Sequence, residues 1–213
     1  MKGKKEKSLL VRIDDAWVIR DDMDCLLNGD VQVNGAVISA YIQLMRHEEH
    51  LLHREGGDVY LENTFITQLL HRDGEPPATT WNYSRNDMVE TWVQNYLKAD
   101  MVFLPINIVK FHWYVAIVNA SIGEIHVLDS FGDQMSNFQD LEYTLIGMER
   151  MIKHVAEHIQ LDRQKWKHGI EVSSWPTKHM ITKRAQTDGV SCGLWMLNYM
   201  EYWTGTTLSG AMT

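Results

Sequence analysis

The sequence predicts an α+β domain, and two observations carry that prediction. Three helix-type patterns lie within the first hundred residues, a run of short apolar segments follows between 101 and 128, and helix-type patterns return after 138. Helices, then clustered strands, then helices is the order of a sheet flanked by helices. The 213 residues are 45% hydrophobic and 23% charged, enough to build one sizeable core, with 8 Trp and 12 Met as large, adaptable fillers.

Each element has its own local reason. Residues 1–8 read as a polar lead, and Leu9–Ile13 and Ala16–Ile19 as short apolar stretches without clear period. Asp21, Asp22 and Asp24 form an acidic cluster before Cys25-Leu26-Leu27, read as a solvated loop. From Gly35, the spacing of Val37, Ile38, Tyr41, Ile42, Leu44 and Met45 predicts a buried helix with Asn34 as its N-cap. Glu62 to His71 is a second helix, closed by Gly74-Glu75-Pro76-Pro77, and Asn86 to Leu97 is a third. Met101–Ile106 suits a buried strand. Trp113–Val118 and Glu124–Leu128 read as two strands joined through Asn119–Gly123. Leu141, Leu145, Met148, Ile152, Val155 and Ile159 mark a long helix from about 138 to 160. A short strand is expected near Ile170–Val172. A last helix follows Cys192 and stops near Gly205.

Composition narrows the class. The net charge is −8, and the only basic cluster is Lys2, Lys4, Lys5 and Lys7, so neither nucleic acid nor a membrane surface is an expected partner. There are two cysteines, no hydrophobic signal segment and no apolar run long enough to span a bilayer. A reducing, intracellular compartment, nucleus or cytoplasm, is expected.

The chemistry concentrates in Gln186-Thr187-Asp188-Gly189-Val190-Ser191-Cys192-Gly193. A thiol at a helix N-terminus sits among unpaired backbone N–H groups, whose potential favours thiolate. Gln186 can reach back to offer an amide donor to an oxyanion. A Cys nucleophile needs a base, usually His, and the chain has ten. His112 opens one strand of the expected hairpin and Asp129 follows the other, so the two are expected to be cross-strand neighbours about a turn centred on Ala120–Ser121. Such a carboxylate orients an imidazole and stabilises its cation. Taken singly, His112 reads as a strand-end residue and Asp129 as the start of a turn. Two other clusters carry less: His47-Glu48-Glu49-His50 with His53 lacks metalloprotease spacing, and His154 and His158 read as surface residues. No metal site is expected.

His112-Trp113, Leu128-Asp129-Ser130 and Gln186-x-x-Gly189-x-x-Cys192-Gly193, in that order, together resemble the ubiquitin-like-protein-specific protease family, the SUMO proteases. The resemblance runs from about residue 25 to 205. It implies a papain-like fold, with a central mixed or antiparallel sheet flanked by helices and the catalytic Cys at a helix N-terminus. It also implies a thiol peptidase or isopeptidase that cuts after the Gly-Gly tail of a ubiquitin-like modifier, SUMO foremost, in deSUMOylation or precursor processing. By position, Cys192 is the nucleophile, His112 the base and Asp129 its orienting acid, with Gln186 and the Cys192 N–H as oxyanion hole. Trp113 would line a tunnel that only glycine can thread, or serve as a core residue. Gln32, Asn34 and Gly189 are further substrate-binding positions. The implied organisation is a partly ordered lead over 1–20 and one catalytic domain over 21–213, monomeric, without cofactor, with the modifier and its conjugates as partners.

The chain also departs from the pattern. Gln32 stands where the family carries a Trp lid over the tail, Gly35 where it carries Asp, and Ser191 where it often has Asp. The altered lid keeps a non-catalytic modifier-binding module open as a second reading, and an acyltransferase using the same residues as a third.

Overall fold

In the computed structural model, which describes residues 8–76, 87–108, 111–134 and 139–210, the chain opens with an antiparallel hairpin, β1 (Leu9–Ile13) and β2 (Ala16–Ile19). The lysines of the basic lead, and the element ends expected at 77, 86 and 138, lie outside the described residues. The hairpin turns at Asp14, which holds φ +50, a conformation that Asp tolerates better than most side chains. Ala16 and Val18 pack against Ala40.

The acidic cluster is not a loop. It lies in helix α1 (Arg20–Leu27), where Asp21 and Asp22 occupy the positive first turn and Asp22 accepts the Ile19 N–H at 3.0 Å. Helix α2 (Gly35–Arg46) starts as expected, with the Asn34 side chain accepting from Ala36 N at 2.8 Å. Three elements then appear that had no sequence counterpart: α3 (Glu49–Leu52), β3 (His53–Arg54) and β4 (Gly57–Leu61). Helix α4 (Thr64–Gly74) is capped by Asn63, which accepts from Ile66 N at 2.8 Å, and α5 (Asp87–Lys98) follows.

The sheet strands are β5 (Met101–Ile108), β6 (His112–Asn119), β7 (Glu124–Leu128) and, after helix α6 (Gln139–Ala156), β8 (Thr177–His179); α7 (Cys192–Tyr202) closes the list. The six-stranded order is β3-β4-β5-β6-β7-β8. β5, β6 and β7 run antiparallel, whereas β4 joins β5 and β8 joins β7 in parallel, so the sheet is mixed. Every residue of β6 is buried, so it reads as a continuous apolar run instead of alternating. Its two faces feed two cores. Tyr114, Ala116 and Val118 pack with α4, α5 and α6, whereas Trp113, Val115 and Ile117 pack with α2 and α7.

Three expected boundaries are corrected. Residues 172–174 form a single 3-10 turn, and the strand lies further on, in β8. Ile170 and Val172 are apolar because, with Trp166 and Trp175, they fill the core beneath α6. The long helix stops at Ala156, short of 160. The last helix stops at Tyr202, because Trp203 leaves it to bridge Leu208.

Two contacts fix the helices. A β-carbon at Gly147 would lie 1.8 Å from the Leu70 carbonyl oxygen, and one at Gly74 would lie 1.8 Å from that of Tyr143, so α4 and α6 touch backbone to backbone. Gly147→Ala must drive them apart. The expected cost is about 3 kcal/mol, the upper range for overpacking, or about 6–12 °C in Tm, read by thermal melting. Gly189→Ala, whose β-carbon meets nothing within 4 Å, is the neutral control. At the far end of α7, Arg54 donates to the carbonyls of Leu51, Met200 and Trp203 at 2.6–2.7 Å, placing a cation at the negative end of the helix. Burial pulls its pKa down to about 10, against the opposing pull of Glu201.

Candidate active site

The site forms where β6 begins, β7 ends and α7 begins. His112 is the first residue of β6 and Asp129 the first beyond β7; both are buried, and His112 Nε2 lies 2.6 Å from Asp129 Oδ1. They meet by a different register from the one expected. The observed pairs run from Asn119↔Glu124 to Val115↔Leu128, which centres the turn between Ser121 and Ile122, with Gly123 at φ +68. Continued outward, that register sets Phe131, not Asp129, opposite His112. The rings of His112 and Phe131 do stack, 4.1 Å apart and 9° from parallel. Asp129 therefore reaches His112 on the diagonal, its Oδ1 also accepting the Phe131 N–H at 2.8 Å. Phe131 in turn carries the Arg184 guanidinium 4.9 Å above its ring.

Cys192 is the first residue of α7 and 1% exposed. Its backbone N–H belongs to the helix's unpaired first turn. Burial works to lower the pKa of His112, but the Asp129 hydrogen bond and then the Cys192 sulfur outweigh it and push the value up to about 9. With Nε2 occupied by Asp129, Nδ1 is the ring atom left without a hydrogen bond of its own. The cationic imidazole is therefore the favoured form at neutral pH.

The loop before Cys192 is held by Asp188. Its Oδ1 accepts the N–H groups of Val190 and Ser191, both at 2.7 Å, and its Oδ2 accepts the Ser191 hydroxyl at 2.6 Å. The Ser191 hydroxyl and then the two backbone donors hold the carboxyl down at about 2. Ser191, where the resemblance leads one to expect Asp, is thus paired with a carboxylate three residues earlier. Gln186 is fully buried, with Nε2 donating to the Asp188 carbonyl at 2.9 Å and so turned toward that loop.

Of the expected substrate positions, Gln32, Asn34 and Trp113 share a groove of about 730 Å³, whose walls also include Trp17, Gly35 and Phe65. Trp113 is both core and wall. It packs in the core beside α7, lying 3.5 Å from a β-carbon placed at Gly193, and it borders the groove at Gly35, 3.6 Å from one placed there. Gln32 donates to the Phe111 carbonyl, tying the segment before α2 to the residue before His112. Asn34 is committed to structure, capping α2 and donating to Asp22 at 3.1 Å. Gly189 is exposed in the Asp188 loop and does not line the groove.

The discounted clusters scatter. His47 bonds Gln43, His50 faces Glu48, and His53 pairs with Asp58. Among the described residues, His154, Glu157 and His158 offer metal-type donor atoms within 4.8 Å of one another, on the surface at the end of α6. Ser130, Phe131 and Asp188 had no assigned part in the sequence reading. The one signal for the first two was the turn composition after β7, Asp129-Ser130-Phe131-Gly132, where Gly132 takes φ +75.

The Ulp1 protease family, C-terminal catalytic domain, matches residues 32–212. Ubiquitin-like-specific proteases 1A and ESD4 of Arabidopsis thaliana are each 24% identical, over 81% of this chain and 32% of their own length. The chain spans less than half the length of the curated relatives it matches. Among solved structures, the C-terminal Ulp1 protease domain in complex with Smt3, the yeast ortholog of SUMO, superposes with a TM-score of 0.61 at 15% identity, over 97% of this chain and 81% of that one. A de-sumoylating protease gives 0.54 at 21% identity, over 93% and 73%. These likenesses show the papain-like α+β fold. With the family match running from just before α2 to beyond α7, the chain belongs to the Ulp1 protease family.

Proposed function

We propose that this chain is the catalytic domain of a cysteine peptidase that cuts after the C-terminal glycine of a ubiquitin-like modifier, SUMO or a relative, in precursors or conjugates. The observation that carries the reading is the buried His112, bonded to Asp129 and raised to about 9 partly by the Cys192 sulfur at the start of α7. Family membership, and relatives named for ubiquitin-like modifiers, supply the substrate class. The Gln32–Trp113 groove is the path for the tail, and glycine is the residue narrow enough for it. We assign residues 21–213 to one domain with 1–20 as its lead, acting inside the cell. Among the described residues no helix is long and apolar enough to cross a membrane.

In this reading the Cys192 thiolate attacks the glycine carbonyl carbon. The carbonyl π electrons move to oxygen, which the Cys192 N–H and the Gln186 amide receive. His112 gives its proton to the departing amine as the C–N bond breaks, leaving a thioester. Water then attacks that carbonyl, His112 takes its proton, and the C–S bond breaks to release the modifier's carboxyl. Gln186→Ala is expected to lower kcat about 10²–10³-fold, the cost of one oxyanion donor, with KM little changed. A wild-type kcat in that variant would remove Gln186 from the mechanism.

The test of the reading is a panel of ubiquitin-like proteins bearing a C-terminal electrophile, run beside Cys192→Ala. A covalent adduct with one modifier, lost in the variant, supports it and names the substrate. No adduct with any modifier from folded protein overturns it.

A further inference from the structure

We propose that Ser130 is the positioning residue for the oxyanion-binding amide of Gln186; this rests on the catalytic reading above and deepens it. Ser130 is 1% exposed, so no bulk water competes for its groups. It makes three hydrogen bonds to one short stretch of chain. Its hydroxyl donates to Gln186 Oε1 at 2.8 Å, and its carbonyl accepts the N–H of Ala185 at 2.8 Å and of Gln186 at 3.1 Å. Backbone and side chain of Gln186 are therefore held by the same residue.

That stretch can come so close because of Gly132. A β-carbon there would lie 2.9–3.0 Å from backbone atoms of Thr182, Lys183 and Arg184, and φ is +75. The turn after β7 thus carries two positioning groups in adjacent residues: Asp129 sets the imidazole, and Ser130 sets the amide.

The orientation of that amide decides whether it helps or harms. A carboxamide is nearly symmetric in shape but presents donors on one side and acceptors on the other. With Oε1 on the Ser130 hydroxyl and Nε2 on the Asp188 carbonyl, the donor side faces the loop that leads into Cys192. Turned over, Oε1 would meet the Asp188 carbonyl oxygen and repel any oxyanion. Without the Ser130 hydroxyl, Oε1 is a buried acceptor lacking its donor, and the amide is free to swing toward one elsewhere.

The experiment compares Ser130→Ala, Gln186→Ala and the double variant. Ser130→Ala is expected to lower kcat about 10- to 100-fold, below the 10²–10³-fold ceiling for losing the donor outright, with KM unchanged. Affinity for a modifier ending in an aldehyde, which forms a tetrahedral adduct with the thiol, should fall in parallel. Binding of unmodified modifier to Cys192→Ala/Ser130→Ala should equal binding to Cys192→Ala. The deciding readout is coupling: on the Gln186→Ala background, Ser130→Ala should cost nothing further. Independent multiplicative losses, or wild-type kcat in Ser130→Ala, overturn the proposal. Should Ser130→Ala fail to fold, Ser130→Gly, which likewise lacks the hydroxyl donor and adds no bulk, takes its place under the same criteria. If Gln186→Ala is fully active while Cys192→Ala is dead, the oxyanion assignment of Gln186 fails and the role of Ser130 with it. If Cys192→Ala retains turnover, the catalytic reading itself has failed.

Discussion

Cys192→Ala is expected to reduce turnover to background, about a 10⁶-fold loss on the scale of nucleophile knockouts, while the protein melts within a few degrees of wild type. Deleting one buried sulfur is a small packing change, and α7 keeps its other anchors, the Arg54 bonds to Met200 and Trp203. Modifier binding should persist, because the groove of Gln32 and Trp113 does not include the thiol. Cys25 cannot substitute for it. Its thiol donates to the Asp22 carbonyl at 3.0 Å and accepts the Asn34 N–H at 3.3 Å, contacts that hold α1 to the α2 cap. Turnover surviving in the variant, measured on a modifier fused to a fluorogenic leaving amine, would falsify the assignment of Cys192.

Asp129→Asn should cost up to about 10⁴-fold in kcat/KM, the scale of the equivalent change in a hydrolase triad, and should also change its pH dependence. In the wild type the cationic His112 persists up to about pH 9, so kcat/KM should fall on the alkaline side near that value. The Asn variant removes the first of the two influences that raise it, so the alkaline limb should shift down toward the ordinary value of 6.5. Stability follows the same sign. Because the folded value is raised, the contribution is complete below pH 6.5 and disappears as pH rises through about 9. A pH–rate profile whose alkaline limb stays in place in the Asn variant would show that Asp129 does not set the imidazole's charge.

The start of α7 at Cys192, α2 with its Asn34 cap, the β5–β7 strands and α6 were legible because each carries a local signal: a cap, an unbroken apolar run or a 3.6-residue period. What escaped depends on partners distant in sequence. β4 is five residues, Gly57–Leu61, and becomes a strand by pairing with β5 some forty positions on. β8, Thr177–His179, is polar because it is an edge, whereas the more strand-like Ile170 and Val172 plug the core. Asp21, Asp22 and Asp24 look like a loop until the helix dipole that favours acids in a first turn is considered. The pairing of His112 with Asp129 was legible from spacing, but its register was not. Two residues of error hid Phe131, which the true register sets against the imidazole. Ser130 lay in a motif read for its neighbour, and its tie to Gln186 spans 56 positions of chain.

The burial of Cys192 has a practical consequence for anyone who counts thiols. At 1% exposure its sulfur is closed to bulky aromatic disulfides in the native protein, whereas Cys25 is half-buried. A colorimetric titration of the folded chain will therefore register fewer thiols than the two that guanidinium releases. The missing equivalent is the proposed nucleophile. Inhibitor design inherits the same asymmetry: a warhead aimed at the proposed nucleophile calls for a slender, unbranched stem, because one mounted directly on a ring meets the more exposed Cys25 first.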